Sequence, residues 1–457
     1  MPFYSNPRET HPIDEAISIA NNRVFSVHQL ANTKGEIIDP FGWAEYSSAN
    51  LFDAFGRMKS AMPFTLGDYK HFPAEINFNF NNSKGNGGAI TTNSSRASVT
   101  LSTTSSSTSY AIHQTKYYHP YQPGKSQEIY TSFVLGAPVP GTTKRIGYFD
   151  DLNGLFLEQT GTGELAFVIR SSATGSPIDT RIVRSAWSVD KCDGTGESSF
   201  NLNVTKDQLL YIDFQWLGVG DVRFGLKNGG GIVLAHVEPH SNVLDGVYMT
   251  NPSLPIRAEI RNTGASAGGS LEHICSTVIS SGGYSESGVD FAAASTAART
   301  TSTPGGTPFP VMVIRLKNSF KGSPNRASAR INSVSLSVQT ESVLYKLVKL
   351  DSVSALTFSG AAVWTSADTD SAVEYSVNAT SFTGGSTLSA GFIPAGSSQN
   401  SLSPGTFGDI SASKKSIIMQ NIDSTDSELY VISAQTVSTQ TNAQASVSVA
   451  VQWRETY

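Results

Sequence analysis

Four groups of side chains in this sequence have types and spacings that could do chemistry. His236, Glu238 and His240, in LAHVEPH, stand at i, i+2 and i+4. On a strand they share a face, and two imidazoles with a carboxylate can ligate zinc. Asp190, Asp193 and Glu197 lie in a loop with Gly194 and Gly196, where carboxylate and carbonyl oxygens could hold Ca²⁺. Asp213 and Arg223 offer an acid and an anion clamp, and Asp213, Glu238 and Glu259 are the carboxylates a glycosidase pair would be drawn from. Tyr117, Tyr118 and Tyr121, with His113 and His119 nearby, form an aromatic cluster in TKYYHPYQPG that could stack on sugar rings.

Each group has a plainer reading. Pro239 ends a strand, and the register derived below sets His236 beside Arg223, a poor cation site, so the histidine motif reads as a polar rim. The acidic loop lacks the alternating spacing of an EF-hand and reads as Asx-type turns. Asp213 and Arg223 read as a cross-strand ion pair. No pair among the three carboxylates is singled out, and no Gly-x-Ser-x-Gly elbow occurs. The tyrosines read as core edge or protein interface before sugar platform. No catalytic, cofactor-binding or metal-ligating residue is therefore assigned.

The elements that position these groups are strands. In Gln208–Trp216, Leu210, Ile212, Phe214 and Trp216 fall on one face, and Tyr211, Asp213 and Gln215 on the other. Gly218-Val219-Gly220 supplies a turn. Pairing Leu217 with Asp221 sets Phe224 opposite Phe214, Val222 opposite Trp216 and Leu226 opposite Ile212, with Arg223 opposite Gln215 and diagonal to Asp213. A second turn at Asn228–Gly231 pairs Lys227 with Ile232, Val233 with Leu226, Ala235 with Phe224 and Val237 with Val222. Residues 208–238 thus read as a three-stranded antiparallel meander.

Composition limits the function classes. The chain has 457 residues, 15% of them charged and 10% aromatic, with a formal net charge of −5. Low charge with ample aromatics argues against disorder and for a large β-rich protein with uncharged polar outer faces. The negative balance, with no Lys/Arg cluster, disfavours nucleic acid and anionic membrane as partners. The first residues lack the apolar core of a secretory signal, and no window approaches the ~20 apolar residues of a membrane helix. Cys192 and Cys275 read as free thiols, consistent with assembly in a reducing cytoplasm.

Three regions follow. Residues 1–82 are expected to form an irregular, partly helical attachment arm, with short helices at Ile13–Asn22 and Ser48–Lys59 and scattered aromatics at Phe41, Trp43, Phe64, Tyr69 and Phe72. Residues 83–345 are expected to form an antiparallel β-sandwich of jelly-roll or lectin-like type, closed by Val311–Leu316 and Arg330–Gln339, with a long loop over 282–306. Residues 346–457 are expected to form a smaller β-sandwich, with Leu429–Ser433 partnering the alternating run Ala445–Trp453. The fold class is all-β.

Several phrases in order along residues 95–285 resemble a family of tailed-phage virion structural proteins, tail-fibre-like and common in aquatic and marine phages. They are YQPGKS at 121–126, RIGYFD at 145–150 followed by Asn153-Gly154, RSS at 170–172, WSVD at 187–190, DGTG at 193–196, DFQWLGVG at 213–220, VYMTNP at 247–252, Leu254-Pro255 and HICSTVI at 273–279. The Trp453-Arg454-Glu455 ending is similar too. The sequence departs from the pattern at Asp221, where Arg is expected, and at Cys192, where Leu is expected. The resemblance implies a non-enzymatic virion component, assembled in the host cytoplasm, whose partners are other virion proteins and further copies of itself. It carries no established catalytic residues. A tail, baseplate or fibre position is the first expectation and capsid-surface or vertex decoration the second. A carbohydrate-binding module recognising a host-surface glycan is the alternative from another class, and a polysaccharide-cleaving enzyme ranks third.

Overall fold

The computed structural model describes residues 37–38, 45–46, 63–71, 79–229, 231–285, 288–301, 307–396, 398–402, 417–437 and 443–457. The expected helices at 13–22 and 48–59, with Phe41, Trp43 and Phe72, lie outside the described residues. The one described feature before residue 63 is a two-residue antiparallel pairing of Ile37–Ile38 with Glu45–Tyr46.

Fifteen strands build the first sandwich: β1 (Phe64–Lys70), β2 (Phe80–Gly85), β3 (Ala89–Asn93), β4 (Ser98–Ser102), β5 (Tyr110–Thr115), β6 (Gln127–Val134), β7 (Thr142–Phe149), β8 (Gly154–Gln159), β9 (Leu165–Ser171), β10 (Ile178–Val183), β11 (Gln208–Phe214), β12 (Val222–Asn228), β13 (Gly231–Glu238), β14 (Ile256–Asn262) and β15 (Ser270–Ser280). A seven-stranded sheet runs β10-β9-β8-β7-β14-β5-β2, and an eight-stranded sheet runs β13-β12-β11-β6-β15-β4-β3 with β1 also on β15. Every described pairing between these strands is antiparallel. Alternation decides what is inside: Ile146, Tyr148, Leu155, Leu157, Phe167, Ile256 and Ile260 from one sheet meet Val99, Ile129, Phe133, Ile212, Phe214 and Phe224 from the other in one core.

The second sandwich uses β16 (Val289–Ala294), β17 (Phe309–Leu316), β18 (Ser328–Val338), β19 (Val343–Leu350), β20 (Val373–Ser376), β21 (Ser386–Ile393), β22 (Leu429–Thr436) and β23 (Ser446–Thr456). One sheet centres on β16-β23-β18, the other on β20-β17-β22-β19-β21. Their inner faces share a core around Trp453, Val449, Val451, Leu336, Ile314 and Ile432. The all-β sandwich class is thus as expected.

The region boundaries shift. β17 and β18, expected to close the central domain, belong to the second sandwich, because β18 pairs with the chain-terminal β23 from Ser328↔Thr456 to Val338↔Val447. The break between cores falls near residue 285, not 345. The loop expected over 282–306 contains β16, which pairs with β23, Phe291 opposite Trp453. The arm ends earlier than residue 82: β1 lies along β15 and buries Leu66 and Tyr69, and Phe80 opens β2 in the same core.

In the meander, the faces are as expected and the registers differ. β11 and β12 pair Leu210↔Leu226, Ile212↔Phe224, Asp213↔Arg223 and Phe214↔Val222, two residues from the expected register. The reversal consumes Gln215–Asp221 because Val219 and Gly220 both donate to the Trp216 carbonyl and Leu217 takes a positive φ. A two-residue slip preserves side-chain facing, so apolar pattern alone does not distinguish the two registers. β12 and β13 keep the expected pairs Lys227↔Ile232 and Leu226↔Val233, then a bulge places Phe224 opposite His236 and leaves Ala235 extra.

Candidate functional site

The outward face of the seven-stranded sheet carries the densest set of ionisable groups. Arg145 on β7 stands opposite Glu158 on β8 and Glu259 on β14. Its Nε donates to Glu158 Oε2 at 2.8 Å and its Nη1 to Glu259 Oε1 at 3.1 Å. Arg181 donates to the other oxygen of Glu158 at 2.7 Å, and Arg257 and Arg261 donate to Glu259 at 2.5 and 2.7 Å. Arg170 binds Asp179 through two parallel bonds of 2.7 and 2.9 Å. Beneath them Phe149 and Phe156 pack with ring centroids 4.4 Å apart, and Arg170 and Arg257 lie over their faces. Gly147 makes this layer fit, since a Cβ there would stand 2.7 Å from the Phe156 backbone.

Electrostatics fixes what this face can do. Burial opposes ionisation of Glu259, but Arg257, Arg261 and Arg145 outweigh it and bring its pKa down to about 2. A general acid needs a carboxyl held protonated near neutral pH, and this one is held ionised. Glu158 is likewise clasped between two guanidiniums. The face is a charge-compensated lattice.

A second polar assembly joins the two sandwiches. Lys116, just after β5, and Lys349 on β19 both reach Glu428, at 2.7 and 2.8 Å, and all three side chains are at least nine-tenths buried. Asn81 Nδ2 donates to the Gln420 carbonyl at 3.2 Å. Arg326 of the second sandwich covers the Tyr118 ring, whose hydroxyl donates to Asp150 at 3.2 Å.

The third is a set of imidazoles inside the first sandwich. His71 directly follows β1, His113 is on β5 and His273 on β15, and a nitrogen from each lies within 4.8 Å of the others. Burial lowers the pKa of all three, that of His71 to about 4, so the rings are neutral at pH 7.

The sequence-derived candidates are placed as follows. His236 Nε2 faces Glu238 at 2.9 Å and its Nδ1 accepts from the Ser188 N–H; His240 donates from Nδ1 to the Gly220 carbonyl and stacks on Tyr248. Each of the two rings has its own local partners. Asp190 accepts N–H groups of Cys192 and Ser198, Asp193 accepts from Thr195, and Glu197 is exposed, so the loop is Asx-turned. Asp213 and Arg223 form the cross-strand pair at 3.8 Å, directly opposite rather than diagonal. Glu259 projects from the seven-stranded sheet and Asp213 from the eight-stranded one, away from the shared core, so they do not flank one cleft. Tyr121 stacks on Phe214 and meets Trp216, Tyr118 lies in the inter-sandwich seam, and Tyr117 is half-buried beside His119. His119 accepts from Tyr69 at 2.8 Å and donates to the Leu254 carbonyl. Cys192 is buried, which pushes its thiol up to about 12, and Cys275 is exposed.

Several of the phrases that carry the virion resemblance meet at one corner of the first sandwich. Tyr148 OH accepts from the Leu254 N–H at 2.9 Å, and Phe149 N–H donates to the Pro255 carbonyl at 3.0 Å. Asn153 Oδ1 accepts from the Thr250 N–H at 2.9 Å, Asp150 Oδ1 caps the turn to Asn153, and Trp216 Nε1 donates to the Met249 carbonyl at 3.0 Å. Segments about a hundred positions apart, 145–154 and 247–255, thus hold each other in place.

The histidine trio is the site that sequence reasoning missed. Its one local signal was His113 alternating with Ala111 and Thr115 on a strand's apolar face. Among the described residues, no helix is long and apolar enough to cross a membrane.

No protein-family model matches the chain, and no curated protein sequence matches it. Solved structures similar to it include the β-glucanase of Bacillus licheniformis, at 9% identity over 49% of this chain and 99% of that one, with a TM-score of 0.31. The CBM2 module of an evolved Dit from Lactobacillus casei BL23 phage J-1 is similar at 10% identity, over 50% and 100%, with a TM-score of 0.30. The endo-β-1,4-glucuronan lyase of the fungus Trichoderma reesei is similar at 10% identity, over 44% and 93%, with a TM-score of 0.28.

Proposed function

We propose that this chain is a non-enzymatic structural subunit of a tailed-phage particle, associated with the tail, baseplate or fibre, that works by assembly contacts. The observation that carries this reading is the corner where the resembling phrases meet: Tyr148, Asn153, Asp150 and Trp216 are engaged in internal hydrogen bonds that shape the sandwich. Residues kept for chemistry would instead converge on a cleft with a carboxyl or imidazole left poised. The ionised, three-arginine environment of Glu259 supports the same conclusion. The partners are other virion proteins and further copies of this chain, and symmetry multiplies each contact. Capsid-surface or vertex decoration is the second position consistent with this role.

The test is incorporation. Particles purified from infected cells should contain the chain at a fixed stoichiometry by quantitative mass spectrometry, and a reconstruction should show where it sits. A chain that accumulates free in the lysate and is missing from purified particles would overturn the reading. A truncation meant to probe the arm should start at Pro63, because removing residues 1–82 also removes β1 and part of β2.

Glycan binding is a second reading, favoured by one groove. Phe320 and Tyr457 stack with centroids 5.4 Å apart beside the Lys321–Asp370 ion pair, lining a concavity of about 430 Å³ in the second sandwich. An exposed tyrosine stacked on a half-buried phenylalanine, with flanking polar groups, suits a sugar ring. Retention on a glycan array that is lost in Tyr457→Ala supports this reading; equal retention by Tyr118→Ala and wild type moves the sugar platform away from the tyrosine cluster.

A further inference from the structure

The two sheets of the first sandwich are bridged inside by three imidazoles from distant parts of the chain. His113 belongs to the seven-stranded sheet, His273 to the eight-stranded sheet, and His71 to the segment leaving β1. We propose that His71, His113 and His273 form a buried three-nitrogen site for a divalent first-row cation, zinc by preference, that fastens one sheet to the other.

The spacing fits. Zinc–nitrogen bonds of about 2.0–2.1 Å at tetrahedral angles place ligand nitrogens ~3.3 Å apart and imidazole centroids ~5.2 Å apart. Here His71 Nε2 and His273 Nδ1 are 3.2 Å apart. The three centroid separations are 4.9, 5.2 and 5.6 Å, with the rings inclined to one another by 56–76°. All three ligand nitrogens lie within 4.8 Å of one another, so any pair wider than ~3.3 Å has to close onto the ion as it binds.

The second layer is also in place. His113 Nδ1 faces Asn82 Oδ1 at 2.7 Å, and His273 Nε2 faces Ser276 Oγ at 2.7 Å. A ring that donates one N–H outward to an oxygen presents its other nitrogen as a lone pair, the arrangement that orients metal-bound histidines. Asn82 is the direct cross-strand partner of His113. Ser276 reaches His273 because a bulge between His273 and Cys275 turns residues three apart onto one face. His71 is fully buried, and among the described residues its Nδ1 has no hydrogen-bond partner.

The donor set selects the ion. Three imidazoles suit zinc and its neighbours in the first transition row, whereas calcium and magnesium demand oxygen ligands. Three protein ligands leave the fourth position to one enclosed water. Full burial and the link between sheets make the site structural.

The full-length protein, purified without metal-affinity resin and stripped with a chelator, should bind one equivalent of zinc per chain. Zinc, but not magnesium, should raise its melting temperature by several degrees. Cobalt(II) should give the intense visible bands of a tetrahedral ion. His71→Gln should weaken zinc binding by about tenfold or more, while His236→Gln should leave it unchanged. The proposal is overturned if stripped, folded protein takes up no more zinc than His71→Gln, or if uptake follows His236 instead. Should His71→Gln fail to fold, the wild-type cobalt spectrum decides: weak octahedral bands, or none, overturn the site.

Discussion

The two sandwiches bury polar groups in different ways. In the second, Glu455 is fully buried and collects donors from Trp453 Nε1, Ser371 Oγ, the Ala372 N–H and Tyr457 OH at 2.5–2.7 Å. One acceptor group is saturated, and the core around it is apolar, with Tyr430, Tyr345 and Phe309 among the aliphatic side chains. In the first, the interior holds the three histidines and Lys144, whose Nζ donates to the Leu135 and Ala137 carbonyls and whose pKa burial lowers to about 8. A saturated carboxylate fixes a single packing. A group of neutral rings with coordination capacity remaining can accept something further. The second sandwich is thus self-sufficient, while the first is built to take an addition.

Removing Trp453 should sharpen this contrast most. Trp453→Ala opens a cavity in an apolar core and removes one of the four donors to Glu455, and should cost about 3–5 kcal/mol. Calorimetry should show the second sandwich melting early while the first keeps its transition. Loss of both together would mean that the seam makes them one cooperative unit.

The seam itself comes next. Glu428→Gln leaves Lys116 and Lys349 buried without their shared counter-ion, and should cost about 3 kcal/mol. If the seam couples the sandwiches, their melting transitions should also move apart.

Acid should reach the sheet lattice later than it reaches ordinary carboxylates. Glu259 has a folded pKa of about 2, below the 4.5 of an unperturbed glutamate. Its contribution is therefore fully present above pH 4.5 and is lost as pH falls toward 2. Glu259→Gln should flatten the stability curve in that window and leave it parallel to wild type above it.

The smallest effect belongs to the pair at the centre of the meander. Asp213→Asn should change stability by under ~1 kcal/mol, because the ion pair is long at 3.8 Å and partly exposed. A loss of several kcal/mol in urea titrations would give Asp213 a role beyond pairing.

Legibility followed the range of the interaction. The face assignments in Leu210–Phe214 and Ala445–Trp453 were readable because period two is a local property. The register of β11 on β12 was not, since the bonds inside the Trp216–Gly220 turn set it. The break near residue 285 was hidden by β18 pairing with β23 across more than 100 residues. The histidine trio was hidden twice, by separations of 42 and 160 positions (71 to 113, 113 to 273) and by a bulge that no alternation pattern announces. The charged lattice, too, exists only once β7, β8 and β14 are neighbours.

The placement of β1 has a consequence for synthesis. Among the described residues its sheet partner is β15, along Cys275–Ser280, on the same edge that β4 uses at Ser270–His273. Lys70 and Ser280 are 210 positions apart. At ~5–20 residues per second the nascent chain carries FTLGDYK without its strand partner for roughly 10–40 s. Over that interval Leu66 and Tyr69 are open to chaperones and to sister chains on the same message. A slowed ribosome anywhere before residue 280 should therefore lower the yield of soluble protein more than the same pause placed after it.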